Sequence, residues 1–179
     1  GCAELAGMIF EARGRKPIIA YASGDAASGA YWIASAADEV VVSETSGLGS
    51  IGVVGVYRNP KNDKSVASTI EIVSSQSPHK RLDPETDTGR AKLQTRIDAM
   101  AEVFVNTLAR NRGVEPPQVL ERFGGGDILI GAHAVNAGLA DRIGSLEKLI
   151  SEISSASNPA ETQRGFLMPQ PQLTEKTMD

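Results

Sequence analysis

The segment at residues 17–42 constrains the fold more than any other part of the sequence. An apolar run at residues 18–22 has the length of a buried strand, and a turn of small residues, S-G-D-A-A, leads from it to Ser28. An alanine-rich stretch then favours a helix as far as Ala37, and a second apolar run at residues 39–42 predicts another strand. The order of strand, helix and strand is typical of an α/β protein with a mostly parallel sheet.

The rest of the chain continues this alternation. A glycine-rich corner at residues 45–52 precedes a predicted strand at 53–56, and the longest predicted helix covers residues 89–112, where the apolar residues form a single stripe. The shorter predicted elements are helices at 2–13, 115–123, 132–136 and from Ser145 onward, and strands at 69–73 and 127–130. We predict one domain at residues 1–150 and a flexible tail at residues 151–179, where the periodicity is lost.

The composition excludes several classes of protein. The net charge of −4 argues against a nucleic-acid-binding surface. The single cysteine, Cys2, has no partner for an internal disulfide, and no apolar run approaches the roughly 18 residues of a membrane span. No signal peptide is recognisable, but the chain begins with Gly1 rather than Met, so we expect it to be a piece of a longer protein.

Ser28 follows the predicted strand and its tight turn and stands at the start of the predicted helix, and two interpretations of it are open. In several hydrolases a serine nucleophile occupies such a turn, where the unpaired N–H groups of the helix start favour negative charge on an attacking oxygen. Alternatively, Ser28 is an N-cap whose hydroxyl only satisfies the helix start. A nucleophile also needs a base, because a serine hydroxyl that keeps its proton reacts poorly.

Residues 74–88 form a long loop without a helical period, and loops of this length are usually functional. The loop offers two candidate bases, His79 for a triad and Lys80 for a dyad. Lysine acts as a base only as the neutral amine, which burial or a nearby cation such as Arg81 favours. Alternatively, Lys80 is an ordinary solvated loop residue. The other histidine, His133, lies on a short amphipathic helix, where a surface or packing role is the simpler interpretation.

Several motifs along the chain together resemble one protease family. The sequence contains A-A-S-G-x-Y around Ser28, then A-S-A-A-D, the corner G-S-I-G-V, the loop S-S-Q-S-P-H-K-R and, later, G-G-G-D-I-L-I-G-A-H-A. Over residues 1–149 these motifs resemble the signal peptide peptidase A family of serine peptidases, in particular its phage and prophage capsid or head-maturation proteases. The resemblance implies a Clp-protease and crotonase-like fold, an α/β class of stacked β-β-α units with a mostly parallel sheet.

The resemblance also implies roles for individual residues. Ser28 would be the nucleophile and Lys80 the general base of a Ser/Lys dyad. Gly29 would donate an oxyanion N–H, since its amide follows the nucleophile at the helix start. Ser50 would hydrogen-bond the lysine, or alternatively bond its own backbone at the corner. In the family a second oxyanion donor comes from a Gly-Gly segment after an earlier strand, so we expect the chain to lack its N-terminal strands and that donor.

The function implied is that of a serine endopeptidase that cuts peptides or phage head proteins without a cofactor or metal. The implied assembly is a homo-oligomer whose subunits complete each other's cleft, with no nucleic-acid partner and no membrane segment in this chain. The location would be the cytoplasm, or the prohead of a prophage, with membrane association through a missing N-terminus as an alternative. A non-proteolytic crotonase-like or capsid-assembly scaffold subunit and a cellular signal peptide peptidase stay open as other functions.

Overall fold

The computed structural model describes residues 1–57 and 72–157, which fall into two compact units. The first unit is Gly1–Ile143, and the second begins at Gly144 and contains helix α6 (Leu146–Ser157). The helices of the first unit are α1 (Cys2–Ala12), α2 (Gly29–Ala34), α3 (Asp87–Arg112), α4 (Pro116–Arg122) and α5 (Ala132–Ala137). Its strands are β1 (Ile19–Ala22), β2 (Ala26–Ala27), β3 (Glu39–Val42), β4 (Gly47–Gly49), β5 (Ile128–Ile130) and β6 (Arg142–Ile143).

The strands of the first unit make two three-stranded sheets. In the first sheet β3 lies between β1 and β6, and both pairings are parallel. In the second sheet β4 lies between β2 and β5, parallel to β2 and antiparallel to β5. Three of the four pairings within the described ranges are therefore parallel, which confirms the predicted α/β class with a mostly parallel sheet.

The core of the first unit lies where the two sheets meet helices α2 and α3. Val40, Val41 and Val42 of β3 are all fully buried, so both faces of this strand are covered, an environment that suits β-branched side chains. Trp32 of α2 stacks on Phe104 of α3, with ring centroids 4.3 Å apart and an angle of 9° between the rings. The stack fixes α2, which begins immediately after Ser28, against the longest helix.

Helix α3 confirms the prediction for residues 89–112 and begins slightly earlier. The Thr86 hydroxyl accepts the Gly89 N–H at 3.1 Å and caps the start, and Gly113 ends the helix at a φ of 65°, a conformation that favours glycine. The apolar stripe buries Leu93, Phe104 and Leu108 among other residues. Met100 belongs to the same apolar stripe of α3 but is half exposed, so the stripe extends beyond the buried face of the helix.

The predicted strand at residues 53–56 is wrong, because the strand of this region is β4, inside the predicted corner. Val54 and Val56 are 88% and 82% exposed, and no strand of the described chain pairs with them. Valine favours a strand only where a neighbouring strand and a packed face are present, and the described residues provide neither to Val54 and Val56. Of the predicted strand at residues 69–73, the first three residues lie outside the described residues and the last two are not in a strand.

Arg112, in the last turn of α3, ties that helix to the first sheet through Asp141. Its guanidinium donates to the two Asp141 carboxylate oxygens at 2.7 and 3.1 Å and to the Gly138 carbonyl at 3.0 Å. Asp141 Oδ2 also accepts the Val40 backbone N–H at 2.7 Å. Partial burial favours a higher pKa for the Asp141 carboxyl, but the hydrogen bonds from Arg112 and Val40 outweigh it, so the pKa is lowered.

Arg13, just after α1, satisfies carbonyl groups at the ends of two other helices. Its guanidinium donates to the backbone carbonyls of Ser35, Ala36, Ala37 and Asn111, at 2.5–3.1 Å. The guanidinium also lies over the Phe10 ring, 4.4 Å from its centroid. The last carbonyls of a helix have no partner within the helix, so Arg13 supplies donors that α2 and α3 lack. No helix of the described chain is long and apolar enough to cross a membrane.

Candidate active site

Ser28 lies immediately before α2, as the sequence predicted, but it follows the two-residue strand β2 in place of a plain turn, and its backbone is strained. It has a φ of 53° and a ψ of −122°, a conformation that L residues rarely adopt and that costs roughly 1–3 kcal/mol. Its side chain is exposed, and the hydroxyl makes no hydrogen bond to a described residue, including no bond that caps α2. The N-cap interpretation therefore has no hydrogen bond in its favour, and the hydroxyl is presented to solvent.

The backbone amides around Ser28 differ in what they bind. The Ser28 N–H donates to the Gly49 carbonyl at 2.8 Å, and so it is not available to a substrate. The next amide, that of Gly29, has no acceptor among the residues that the structure describes, as expected of the first residue of a helix. Of the amides of Ser28 and Gly29, that of Gly29 is therefore the one without an acceptor in the described part of the chain.

Ser50 is brought next to Ser28 by the pairing of β2 with β4. Ala27 and Gly49 are register partners, so Ser28 and Ser50 are the next residues along two adjacent parallel strands. Ser50 is half-buried, has a φ of 52° and donates its N–H to the Asp127 carbonyl at 2.8 Å. Its hydroxyl makes no bond to a described residue, so the alternative that it bonds its own corner backbone is not what the structure has.

Lys80 is exposed and lies in a turn of the loop, where its N–H donates to the Ser77 carbonyl at 3.0 Å. Its side chain lines a cavity of about 340 Å³ together with Ile72, Val73, Ser74 and Arg81. No hydrogen bond joins Lys80 to Ser28 within residues 1–57 and 72–157. The structure thus brings Ser28, Gly29 and Ser50 together, and within the described residues it shows no hydrogen bond between Lys80 and any of them.

The two histidines are both exposed. His79 is next to Lys80 in the loop, and His133 is on α5, where a surface or packing role was predicted. In the described part of the chain neither bonds to Ser28, and no cluster of three histidine, cysteine or acidic residues is arranged to hold a metal ion.

Tyr31 is a structural residue of the site that the sequence interpretation did not single out. It is fully buried three positions after Ser28, and its hydroxyl donates to the Leu139 carbonyl at 2.9 Å. Burial raises the pKa of this phenol, so it stays neutral and remains a donor. The signal in the sequence is the tyrosine of the A-A-S-G-x-Y motif, a large side chain with a hydroxyl that closely follows the small residues of the turn. Tyr31 anchors the first turn of α2 and with it the position of Ser28.

The protease-family model described as peptidase family S49 matches residues 11–159 of this chain. The chain belongs to peptidase family S49. Protease 4 of Salmonella typhi is 26% identical over 170 residues, an alignment of 92% of this chain and 27% of that protein. Capsid assembly protease C of Escherichia phage lambda is 29% identical over 150 residues, 80% of this chain and 33% of that protein. The chain spans about a quarter to a third of the length of these relatives.

A solved structure of a membrane-bound stomatin-specific protease superposes with a TM-score of 0.51 at 16% identity, over 84% of this chain and 60% of that one. At this identity the likeness concerns the fold alone, and it agrees with the Clp-protease and crotonase-like architecture predicted from the motifs. The family and the fold that the sequence resembles are thus confirmed, and family S49 supports a peptidase role for the chain.

Proposed function

We propose that the protein is a serine endopeptidase with Ser28 as its nucleophile and Lys80 as its general base. The observation that supports this most directly is the strained backbone of Ser28, which presents a hydroxyl without a partner among the described residues beside the free Gly29 amide. Strained backbone at a non-glycine residue persists where the surrounding structure holds it, and such residues cluster at functional sites. Membership of peptidase family S49 supports the same interpretation.

In the proposed reaction, Ser28 Oγ attacks the carbonyl carbon of the scissile peptide bond while the neutral Lys80 amine takes the hydroxyl proton. The carbonyl oxygen becomes an oxyanion, which the Gly29 N–H stabilises. The C–N bond then breaks, the lysine ammonium returns its proton to the leaving amine, and an acyl ester stays on Ser28. A water molecule, deprotonated by the same amine, hydrolyses the ester and restores the hydroxyl.

Lys80 must come within hydrogen-bond reach of Ser28 to perform this role, a geometry that often tightens only with substrate bound. The cavity that Lys80 lines is bordered by the apolar Ile72 and Val73 and by Arg81. Ser50 supports the base in this proposal. Its hydroxyl follows the strand paired with that of Ser28 and is free, within the described residues, to accept from the lysine.

The proposed substrates are proteins of a phage head, because a relative that aligns with 80% of this chain is named a capsid assembly protease. The location would then be the prohead or the host cytoplasm, whereas a peptidase of the cell envelope is the alternative suggested by Protease 4. We also propose a homo-oligomer, since Leu5 and Met8 of α1 and Met100 and Val103 of α3 expose apolar side chains. A stable monomer in light scattering at micromolar concentration would argue against that assembly.

A fluorophosphonate probe tests the nucleophile, because it reacts with an activated serine and leaves ordinary serines unmodified. We expect one label per chain, mapped by peptide mass to Ser28 and absent in Ser28→Ala. Ser23→Ala is the matched control, since Ser23 is an exposed serine of the same turn, and it should keep the label. A folded chain that takes no label, or takes it elsewhere, would refute the proposal and favour the non-proteolytic scaffold alternative.

A further inference from the structure

The short strand β4 has no room for side chains at its two glycines. A Cβ on Gly47 would lie 2.5 Å from Ile128 Cγ2 and 2.7 Å from Asp25 Oδ1, and a Cβ on Gly49 would lie 2.5 Å from the Asp127 carbonyl oxygen. Gly49 also has a φ of 127°, which favours glycine. Strand β4, which borders the Ser28 turn, therefore packs tightly between β2 and β5. Its backbone is in direct contact with Asp127.

A single peptide group connects this contact to Ser28. The peptide bond between Gly49 and Ser50 donates its N–H to the Asp127 carbonyl at 2.8 Å, and its carbonyl accepts the Ser28 N–H at 2.8 Å. A peptide group is planar and rigid, so its two hydrogen bonds cannot be reoriented independently. The two bonds also polarise each other through the group that they share. The direction of the Ser28 N–H is thus coupled to the position of Asp127.

Asp127 is itself held in place by a turn of three glycines. Gly124, Gly125 and Gly126 all have positive φ, at 85°, 58° and 98°, and the Asp127 N–H donates to the Gly124 carbonyl at 3.0 Å. The Asp127 carboxylate accepts the N–H of Ile128 at 2.7 Å. Three successive left-handed residues are accessible at low cost only to glycine, so this sequence specifies one particular turn. The G-G-G-D motif therefore specifies the turn that holds Asp127, in addition to following the end of α4.

We propose that the Gly49–Ser50 peptide group, held by the carbonyl of Asp127, positions the nucleophile. It fixes the strained backbone of Ser28, and through that backbone the direction of the Ser28 hydroxyl and of the Gly29 N–H. Gly49 and Asp127 are positioning residues in this proposal, which rests on the proposed function of Ser28. The turn at Gly124–Gly126 is the far end of the same connection.

Gly49→Ala tests the proposal, with Gly24→Ala as the matched control. The added methyl group of Gly49→Ala meets the Asp127 carbonyl, whereas a Cβ at Gly24 has no atom within 4 Å and the φ of Gly24 is not positive. In Gly49→Ala we expect fluorophosphonate labelling of Ser28 and the kcat for a peptide substrate to fall about tenfold to a hundredfold, because displacement of a catalytic group is costly. KM and the pH dependence of the rate should not change. Gly24→Ala should behave as the unmodified chain.

Gly126→Ala covers the case in which Gly49→Ala does not fold. Its methyl group meets only the Ile51 carbonyl at 3.8 Å, but a φ of 98° is unfavourable for alanine, so the turn shifts without a steric clash. We expect faster hydrogen exchange of the Ser28 and Ser50 amides and a lower kcat. A folded Gly49→Ala or Gly126→Ala that labels at the unmodified rate would overturn the positioning role. An unmodified chain that takes no label would instead overturn the proposed function and, with it, this inference.

Discussion

Ser28 and Ser50 extend two adjacent parallel strands by one residue each, and both have a φ within a degree of 53°. They are the only residues other than glycine with positive φ in the described part of the chain. Each donates its N–H to a backbone carbonyl of the neighbouring strand or turn, Gly49 for Ser28 and Asp127 for Ser50. The strain at the two serines is therefore held by one continuous set of backbone contacts rather than by two unrelated turns.

The strain at Ser28 predicts that glycine at this position gives a more stable protein than alanine does. Ser28→Gly should unfold with a free energy about 1 kcal/mol higher than Ser28→Ala, because glycine adopts a φ of 53° at little cost and alanine does not. Urea denaturation of the two variants measures this difference. Ser23 lacks a positive φ, so Ser23→Gly should be less stable than Ser23→Ala. The same order at both positions would contradict the assignment of strain to Ser28.

The proposed base predicts a specific pattern of activity among loop variants. Lys80→Arg and Lys80→Met should both lose activity by about a hundredfold or more, because neither side chain takes a proton in the working pH range. His79→Ala should keep most activity, since no proton transfer is assigned to that ring. An inactive His79→Ala beside an active Lys80→Met would replace the dyad with a triad.

The Arg112–Asp141 contact predicts a loss of stability in acid. The pKa of Asp141 is lower in the folded state than its ordinary value near 3.8, so its contribution is complete above that value and is lost as the pH falls below it. Asp141→Asn should lower the free energy of unfolding at pH 7 by about 2 kcal/mol and flatten its dependence on pH below 4. Asp98→Asn is the control, because Asp98 is exposed and, among the described residues, accepts a hydrogen bond from Gln94 alone. Equal effects of both variants would refute the role of Asp141.

Arg13 predicts a difference between two cations of the same charge. Arg13→Lys should lower the free energy of unfolding by about 2 kcal/mol, because an ammonium cannot reach the carbonyls of α2 and α3 together or stack on Phe10 in the same way. Arg15→Lys, at an exposed position two residues later, should have little effect. Thermal or urea unfolding of both variants measures this difference in the free energy of unfolding. Equal stability of Arg13→Lys and the unmodified chain would mean that the carbonyl contacts are not needed.

The elements that the sequence predicted correctly are those whose apolar pattern extends over enough residues to show a period or a length. The stripe of α3 and the apolar runs of β1 and β3 occupy four or more residues and have a clear period or length. Strands β2 and β6 contain two residues each and carry no pattern, and they exist because another strand lies beside them. The prediction of a strand at residues 53–56 was wrong for the converse reason, because no strand of the described chain lies beside these valines.

The same distinction applies to the site. Ser28 was a candidate because strand, small turn and helix start follow each other along the chain, whereas the role of Gly29 was implied by the resemblance to the protease family. The contact between Ser50 and Asp127 joins distant parts of the sequence and leaves no local signal, since a backbone carbonyl is available at every residue. The motifs predicted the family and the fold, whereas the roles assigned to Ser28, Gly29, Ser50 and Lys80 stay predictions.

The position of β3 in the first sheet has a consequence for how the chain folds. Its neighbour β1 precedes it closely, but its other edge is covered by β6, and the Val40–Asp141 contact at that edge spans 101 positions. During synthesis, the second edge of β3, the strand that carries three valines, therefore stays unpaired until nearly the whole first unit has been made. An unpaired apolar edge is a site for pairing with another chain, so nascent or slowly refolding molecules should aggregate through this strand. Contacts this distant in sequence also predict slow folding.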